Sequence, residues 1–314
     1  MQRVGFILIP RFQMMTLAAA SVFEFANMLA GETLYEISVL SETGGPVASS
    51  LGMIVETVPF EPCEIDTLIV GAGLGPPRPT AGLLDLLRSA QDGTRRIAAI
   101  CNGTFILAEA GLLDGRRATT HWRNAIELQA RFPAIKVEED RIFIIDGVIW
   151  TSAGATAGID LALAMVEKDF GSDVARHAAK SLVVYHRRAG GQSQHSALLD
   201  MSPKSDRVQN ALAYAKEHLA DTISVEQLAD AAHLSPRQFS RTFLAETGRS
   251  PAKAVEQLRV EAARLMMEQG RHSMDEVARE TGFADRDRMR RAFVRAFGQP
   301  PQTIRRNDRL SQMA

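Results

Sequence analysis

Cysteine, tryptophan and tyrosine are scarce in this chain of 314 residues, with two, two and three of each. The two cysteines, Cys63 and Cys101, cannot build a disulfide framework, and neither belongs to a Cys-x-x-Cys pair of the kind that holds zinc. No apolar run approaches a membrane span, and the apolar start, residues 4–9, ends at once in Pro10-Arg11, unlike a signal peptide. A cytoplasmic protein without a membrane partner is therefore expected. A Walker A sequence is also missing. The run Gly71-Ala72-Gly73-Leu74-Gly75 fails as a dinucleotide fingerprint, because Pro76-Pro77-Arg78-Pro79 cannot open a helix directly after it. No cofactor and no metal are expected.

What is present suggests two domains, since the length is ample for two cores at 46% hydrophobic content. Residues 4–9 form a continuous apolar run of the kind a buried strand shows, and 35–41, 67–70 and 97–100 read as further strands. Helical patterns over 17–29 and 81–90 alternate with them, which predicts an α/β layer around a largely parallel sheet. Residues 136–137 and 142–150 read as a later ribbon turning at Asp146-Gly147, followed by helices over 156–170 and 172–188. The small, polar stretch 190–205 separates this domain, 1–189, from a second, 206–306.

The chemically loaded stretch of the first domain is 95–111. A buried strand ends at Cys101, Asn102-Gly103 turns sharply, and a helix begins at Thr104, the geometry of a nucleophile elbow. A thiol at a helix N-terminus has its thiolate favoured by free N–H groups, so Cys101 is either a nucleophile, a pocket residue or a buried thiol fitted to a turn. Asn102 and His121 are candidate pocket residues, and Gly73 can offer a backbone N–H to a ligand carboxylate beside the elbow. Cys63, between Pro62 and Glu64, has only a structural reading. Trp122, Trp150 and Phe105 could stack on a cation or pack in the core.

The second domain contains one helical unit twice. Arg237, Phe239, Arg241, Phe243, Gly248 and Pro251 recur 50 residues later as Asp287, Met289, Arg291, Phe293, Gly298 and Pro301, with four positions identical and a fifth still apolar. Ser235 caps a helix that starts at Pro236 and Gly248 ends it; Ser273 and Asp285 cap the two helices of the second copy, with Gly282 at the turn between them. Two helix-turn-helix units over 225–246 and 273–297, joined by one long helix over 251–269, are the result. From Pro203 onward the chain carries 19 lysines and arginines against 15 acids, while the part before it carries 17 against 22, the sense expected if the second domain meets phosphate.

The motifs Leu-Ser-Pro-Arg-Gln-Phe-Ser-Arg-Thr-Phe (234–243), Gly-Arg-Ser-Pro (248–251), Leu-Arg-Val-Glu-Ala-Ala-Arg-Leu-Met (258–266) and Gly282-Phe283 resemble the AraC/XylS family of bacterial transcription regulators. Asp287-Arg288-Met289 stands where that family usually has Ser or His followed by Phe, so the second reading helix can contact DNA differently. Cys101-Asn102-Gly103, 107–115, Thr119-Thr120-His121-Trp122, 151–154 and 157–160 resemble the ThiJ/PfpI, class I glutamine amidotransferase-like proteins, and the combination is similar to regulators grouped with GlxA. The resemblance implies a flavodoxin-like parallel sheet followed by an all-α DNA-binding domain. It also implies a ligand-responsive regulator, an activator and homodimer, whose partners are double-stranded DNA, RNA polymerase and a small nitrogen-containing effector; such a protein is nucleoid-associated.

Arg237, Gln238 and Arg241 of the first unit and Arg286, Arg288, Arg290 and Arg291 of the second are the candidate DNA contacts, arginine suiting guanine and glutamine adenine. Arg241 and Arg291 occupy equivalent positions, which suit phosphate contact or an internal salt bridge as well as they suit base reading. Enzymes of the ThiJ/PfpI type commonly place a histidine after the elbow cysteine and an acid after the first strand. Here Asn102 follows Cys101, and residues 12–20 hold no Asp or Glu, so a non-catalytic sensor is expected. The rival reading is a cysteine-dependent hydrolase or lyase tethered to DNA, and a third makes the first domain a dimerisation scaffold.

Overall fold

The computed structural model describes residues 1–61, 65–184, 188, 190, 194, 201, 203–268, 272–297 and 300–303. Cys63, Gly298 and most of the stretch 190–205 lie outside them. The chain divides into two compact units, Met1–Gln194 and a second that begins at His195.

In the first unit β1 (Gln2–Ile7), β2 (Tyr35–Ser41), β3 (Gly45–Ala48), β4 (Ile54–Pro59), β5 (Thr67–Val70), β6 (Arg96–Ile100), β9 (Phe143–Asp146) and β10 (Ile149–Ser152) form one sheet in the order β3-β4-β2-β1-β5-β6-β10-β9. A small pair, β7 (Arg117–Ala118) and β8 (Lys136–Val137), stands apart. The six strands from β4 to β10 run parallel, and the two outer hairpins, β3-β4 and β10-β9, are antiparallel. Central strands buried on both faces need continuous apolar runs. Thr67–Val70 and Arg96–Ile100 are buried at every position, which is why the apolar runs mark them so well.

One face is covered by α1 (Ala20–Ala30), α5 (Ala157–Phe170) and α6 (Ser172–Ser181), burying Phe6, Phe23, Ile69, Ala98, Trp150 and Leu161. The other carries α2 (Ala81–Ala90), α3 (Gly103–Glu109) and α4 (Trp122–Arg131), around Leu68, Val70, Leu87, Phe105 and Leu128. A polar fastening closes the first face at the foot of the sheet. Asp169, near the end of α5 and with a fully buried side chain, accepts from the Tyr35 hydroxyl at 2.9 Å and pairs with Arg95 and with the almost fully buried Arg96.

Three expectations change in detail. The helix foreseen over 17–29 is a 3-10 turn, Met14–Ala19, followed by α1. The helix foreseen over 172–188 stops at Ser181, and Val183 takes a left-handed φ of 55°. The β3-β4 hairpin is an addition.

The second unit holds α7 (Asp206–Glu217), α8 (Val225–Ala231), α9 (Pro236–Thr247), α10 (Pro251–Glu268), α11 (Met274–Glu280) and α12 (Arg286–Phe297). Ser224, Ser235 and Ser273 each form a capping box, with Gln227, Gln238 and Glu276 returning the bond. Pro236 opens α9 and Gly248, at φ 71°, closes it. The unit has two cores that share α10: its first half (Ala254, Val255, Leu258) packs with α7 to α9, and its second half (Val260, Ala263, Met267) with α11 and α12. Equivalent residues anchor both, Phe239 and Phe243 in one, Met289 and Phe293 in the other, all at most 1% exposed.

Candidate functional site

The duplicated helices α9 and α12 bury their aromatic face and turn the opposite one to solvent, as four-residue spacing dictates. All seven candidate DNA contacts are exposed. Arg237, Arg241, Arg290 and Arg291 pair with no acid among the described residues, whereas Arg286 approaches Asp275 at 3.4 Å and Arg288 its own Asp285 at 3.9 Å. Gln238 is partly committed: its Oε1 accepts from the Ser235 hydroxyl at 2.8 Å in the capping box. The residue as a whole is exposed.

Four of the second unit's arginines, Arg286, Arg288, Arg290 and Arg291, border a groove of about 1480 Å³ that also reaches Ile223, Val225 and Arg259. Arg259, on α10 and within the 258–266 motif, ties the shared helix to the loop that leads into the first helix-turn-helix unit. Its Nε donates to the Leu219 carbonyl at 3.0 Å and its Nη2 to that of Asp221 at 2.6 Å, both in the loop before α8. Gly282, at φ 76° in the turn of the second unit, sits directly on this bridge; a Cβ there would lie 1.8 Å from the Leu219 oxygen and 2.7 Å from Arg259 Nε.

In the first unit, β6 delivers Cys101 to the elbow with a left-handed φ of 58°. Gly103 lets α3 press on β5, since a Cβ would stand 2.2 Å from the Val70 carbonyl oxygen. The elbow is held from several sides. Thr120 Oγ1 and Thr104 Oγ1 donate to the Cys101 carbonyl at 2.8 and 3.1 Å. Asn102 donates through Nδ2 to the Gly73 carbonyl at 3.1 Å and accepts from Asn124 at 2.7 Å, so it ties the glycine loop and α4 to the elbow. Its side chain, 1% exposed, is a strut rather than an open ligand group.

His121 caps α4, its Nδ1 accepting from the Arg123 N–H at 3.3 Å. That places the proton of the neutral ring on Nε2. The link between His121 and Cys101 is Gly154, just beyond β10. A Cβ at Gly154 would lie 2.6 Å from His121 Cδ2 and 3.4 Å from Cys101 Sγ, so the two candidate side chains flank one narrow gap. Burial pushes the Cys101 thiol above its ordinary range, and the N–H groups of Asn102 and Ala155 only partly offset it. Among the described residues, three of the five non-glycine residues with left-handed φ, Arg11, Cys101 and Ala155, surround this spot, and the Arg11 carbonyl abuts Gly73. Such backbone strain gathers at working sites.

Gly154 and Ala155 carry no signal in composition; they reach the elbow because β10 pairs with β6. Of the three aromatic candidates, Trp150 and Phe105 are buried in opposite cores, and Trp122 is 42% exposed with Arg123 over its ring.

Residues 8–168 match the DJ-1/PfpI family, and residues 228–307 match a helix-turn-helix domain. The HTH-type transcriptional regulator GlxA of Rhizobium meliloti (strain 1021) is 34% identical over 97% of this chain and 96% of its own length. The chain belongs to this family of regulators, a DJ-1/PfpI domain joined to an AraC-type helix-turn-helix domain. The crystal structure of an AraC family transcriptional regulator from Pseudomonas putida, 26% identical, superposes with a TM-score of 0.54 on 58% of this chain and 100% of that one. The isonitrile hydratase of Pseudomonas putida is 35% identical over 55% of this chain and 75% of its own length, so the DJ-1/PfpI half also has an enzyme among its relatives. Within the family, the duplicated arginine-bearing helices and the Cys101 elbow are the two places where this chain's own chemistry is concentrated. No helix among the described residues is long and apolar enough to cross a membrane.

Proposed function

We propose that the protein is a transcriptional activator that binds promoter DNA through α9 and α12 and responds to a small nitrogen-containing metabolite at the Cys101 elbow. The observation that carries the DNA reading is the duplication itself: two capped helices on one shared scaffold helix, each exposing arginines that pair with no acid among the described residues. Two such helices address successive major-groove segments about 34 Å apart on one face of DNA. Arg237 and Arg290 read bases in this account; Arg241 and Arg291, at equivalent positions, hold phosphate. The protein acts as a homodimer and presents the bound promoter to RNA polymerase.

The sensor reading rests on an elbow that has the shape of a nucleophile site without its chemistry. Burial pushes the thiol above its ordinary range, which disfavours the thiolate, and His121 uses Nδ1 to cap a helix. A thermal-shift screen of amino acids, betaines and polyamines, repeated with Cys101→Ala, tests it. A ligand at 100 times its dissociation constant adds about 2.7 kcal/mol to the native state. A stabilising compound whose effect weakens in the variant supports the pocket; equal stabilisation of both proteins moves the ligand elsewhere. The enzyme reading, kept open by the hydratase relative, requires turnover that Cys101→Ala abolishes.

A further inference from the structure

Arg188 and Gln194, late in the first unit, are fastened to the two segments that flank the Cys101 elbow. Arg188 binds the wall that follows Gly154 and Ala155: its N–H and Nε donate to the buried Asp160 carboxylate, both at 2.8 Å, and its Nη2 to Thr156 Oγ1 at 2.7 Å. Gln194, the final residue of the unit, binds the wall that carries His121. Its Nε2 reaches the carbonyls of Thr120, Glu139 and Arg141 at 2.9, 2.8 and 3.1 Å, its Oε1 accepts from the Trp122 N–H at 3.0 Å, and its own N–H donates to Asp140 at 2.7 Å. His121 thus stands between two residues, Thr120 and Trp122, that both hold Gln194. After Gln194 the chain passes into the DNA-binding unit.

The gap between His121 and Cys101 is too narrow for one added carbon at Gly154. A group seated there displaces the His121 ring, and His121 is joined in the chain to Thr120 and Trp122, whose backbone groups hold the Gln194 amide. We propose that Gln194 and Arg188 form a strap that couples the elbow pocket to the outgoing chain: filling the gap beside Cys101 opens the Gln194 cage and frees the connection to the DNA-binding unit. This rests on the pocket reading given above and supplies its output. A ligand shifts such an equilibrium only by its different affinity for the strapped and unstrapped states, and the collision with His121 provides that difference.

The test needs neither the effector nor the operator. In a Cys63→Ser background, iodoacetamide alkylates Cys101, the S–C bond forming as iodide leaves and the thiol proton passes to buffer. Trypsin cleavage after Arg188 is then timed by mass spectrometry, with cleavage after the exposed Arg176 of α6 as the control for general loosening. Alkylation should speed the Arg188 cut at least about fivefold and leave the Arg176 cut unchanged. Gly154→Ala, which fills the same gap without a reagent, should do likewise, and Gln194→Ala should reach the fast rate with the pocket empty. An Arg188 rate unmoved by both alkylation and Gly154→Ala, while Gln194→Ala raises it, overturns the coupling. So does acceleration matched at Arg176. Either failure leaves effector binding and DNA binding, measured separately, untouched; a silent ligand screen with a responsive strap removes the effector class instead.

Discussion

Replacing Gly282 with alanine should do more damage than the same change at Gly248, and the difference measures the junction between the two helix-turn-helix units. Both glycines have nearly the same left-handed backbone, φ 76° and 71°. An alanine in that conformation costs about 1–2 kcal/mol at either place. Around Gly248 nothing lies within 4 Å of an added Cβ, so its penalty ends there. At Gly282 the new carbon meets the Leu219 carbonyl oxygen at 1.8 Å, a backbone atom that cannot swing aside, and Arg259 Nε at 2.7 Å. Crowding of this kind adds about 1–3 kcal/mol or more. For a domain of this size each kcal/mol lowers Tm by about 4–8 °C, so Gly282→Ala should melt at least about 4 °C below Gly248→Ala. The assay is thermal unfolding followed by circular dichroism, with DNA affinity by fluorescence anisotropy. Gly282→Ala should also lose affinity, because the Arg259 bridge between α10 and the loop before α8, on which Gly282 packs, must yield. Equal melting points for the two variants, or full DNA affinity in Gly282→Ala, would refute the argument.

At the foot of the first unit's sheet, Asp169→Ala strands Arg96, which is 3% exposed, beside Arg95; removing one member of such a buried pair costs about 3–5 kcal/mol, seen as a fall of about 6–20 °C in that unit's Tm. Burial raises the Cys101 thiol, so the folded chain keeps a proton that the unfolded chain has lost. The stability this contributes is complete below the ordinary thiol range of about 8.5 and is lost as pH rises past it, and the iodoacetamide rate should still be climbing at that pH. A rate plateau below it would show an activated thiolate. Because Gln238 closes the capping box, Gln238→Ala should destabilise the helix by a fraction of the cap's total of about 1 kcal/mol, measurable by urea unfolding without DNA.

How much of this was legible in the sequence depended on whether a feature is local. Strands β2 and β5 and helix α2 read off at their observed bounds because each is a short apolar or amphipathic run between clear breaks. The helix-turn-helix units read off because capping serines, Pro236, Gly248 and the Phe pair are all short-range signals. Hairpin β3-β4 did not, since Ile54 and Val58 are exposed, blurring the alternation that marks a half-buried strand. Helix α6 ends earlier than its residue pattern predicts, because Val183, a β-branched residue, takes the left-handed turn that a glycine would announce.

The elbow at Cys101 is legible through Asn102-Gly103, and His121 and Gly73 are legible as candidates beside it, but the contacts that join them are not. Gly154 and Ala155 arrive through the pairing of β10 with β6, and Gln194 through bonds to residues more than 50 positions away. In the second unit Gly282 is legible as a turn glycine and Arg259 as part of a motif, but their shared role is not, because it arises only where the chain brings the Leu219 carbonyl to both.

The most direct test of the central claim is selection of bound duplexes from a random DNA library by the full-length protein, followed by sequencing. Two blocks of preferred bases, their centres about 10–10.5 base pairs apart, are the expected result. Arg237→Ala should relax one block and Arg290→Ala the other, each costing about 1–3 kcal/mol on the selected site. A library that yields no preferred sequence, or a single block that neither substitution alters, would contradict the account.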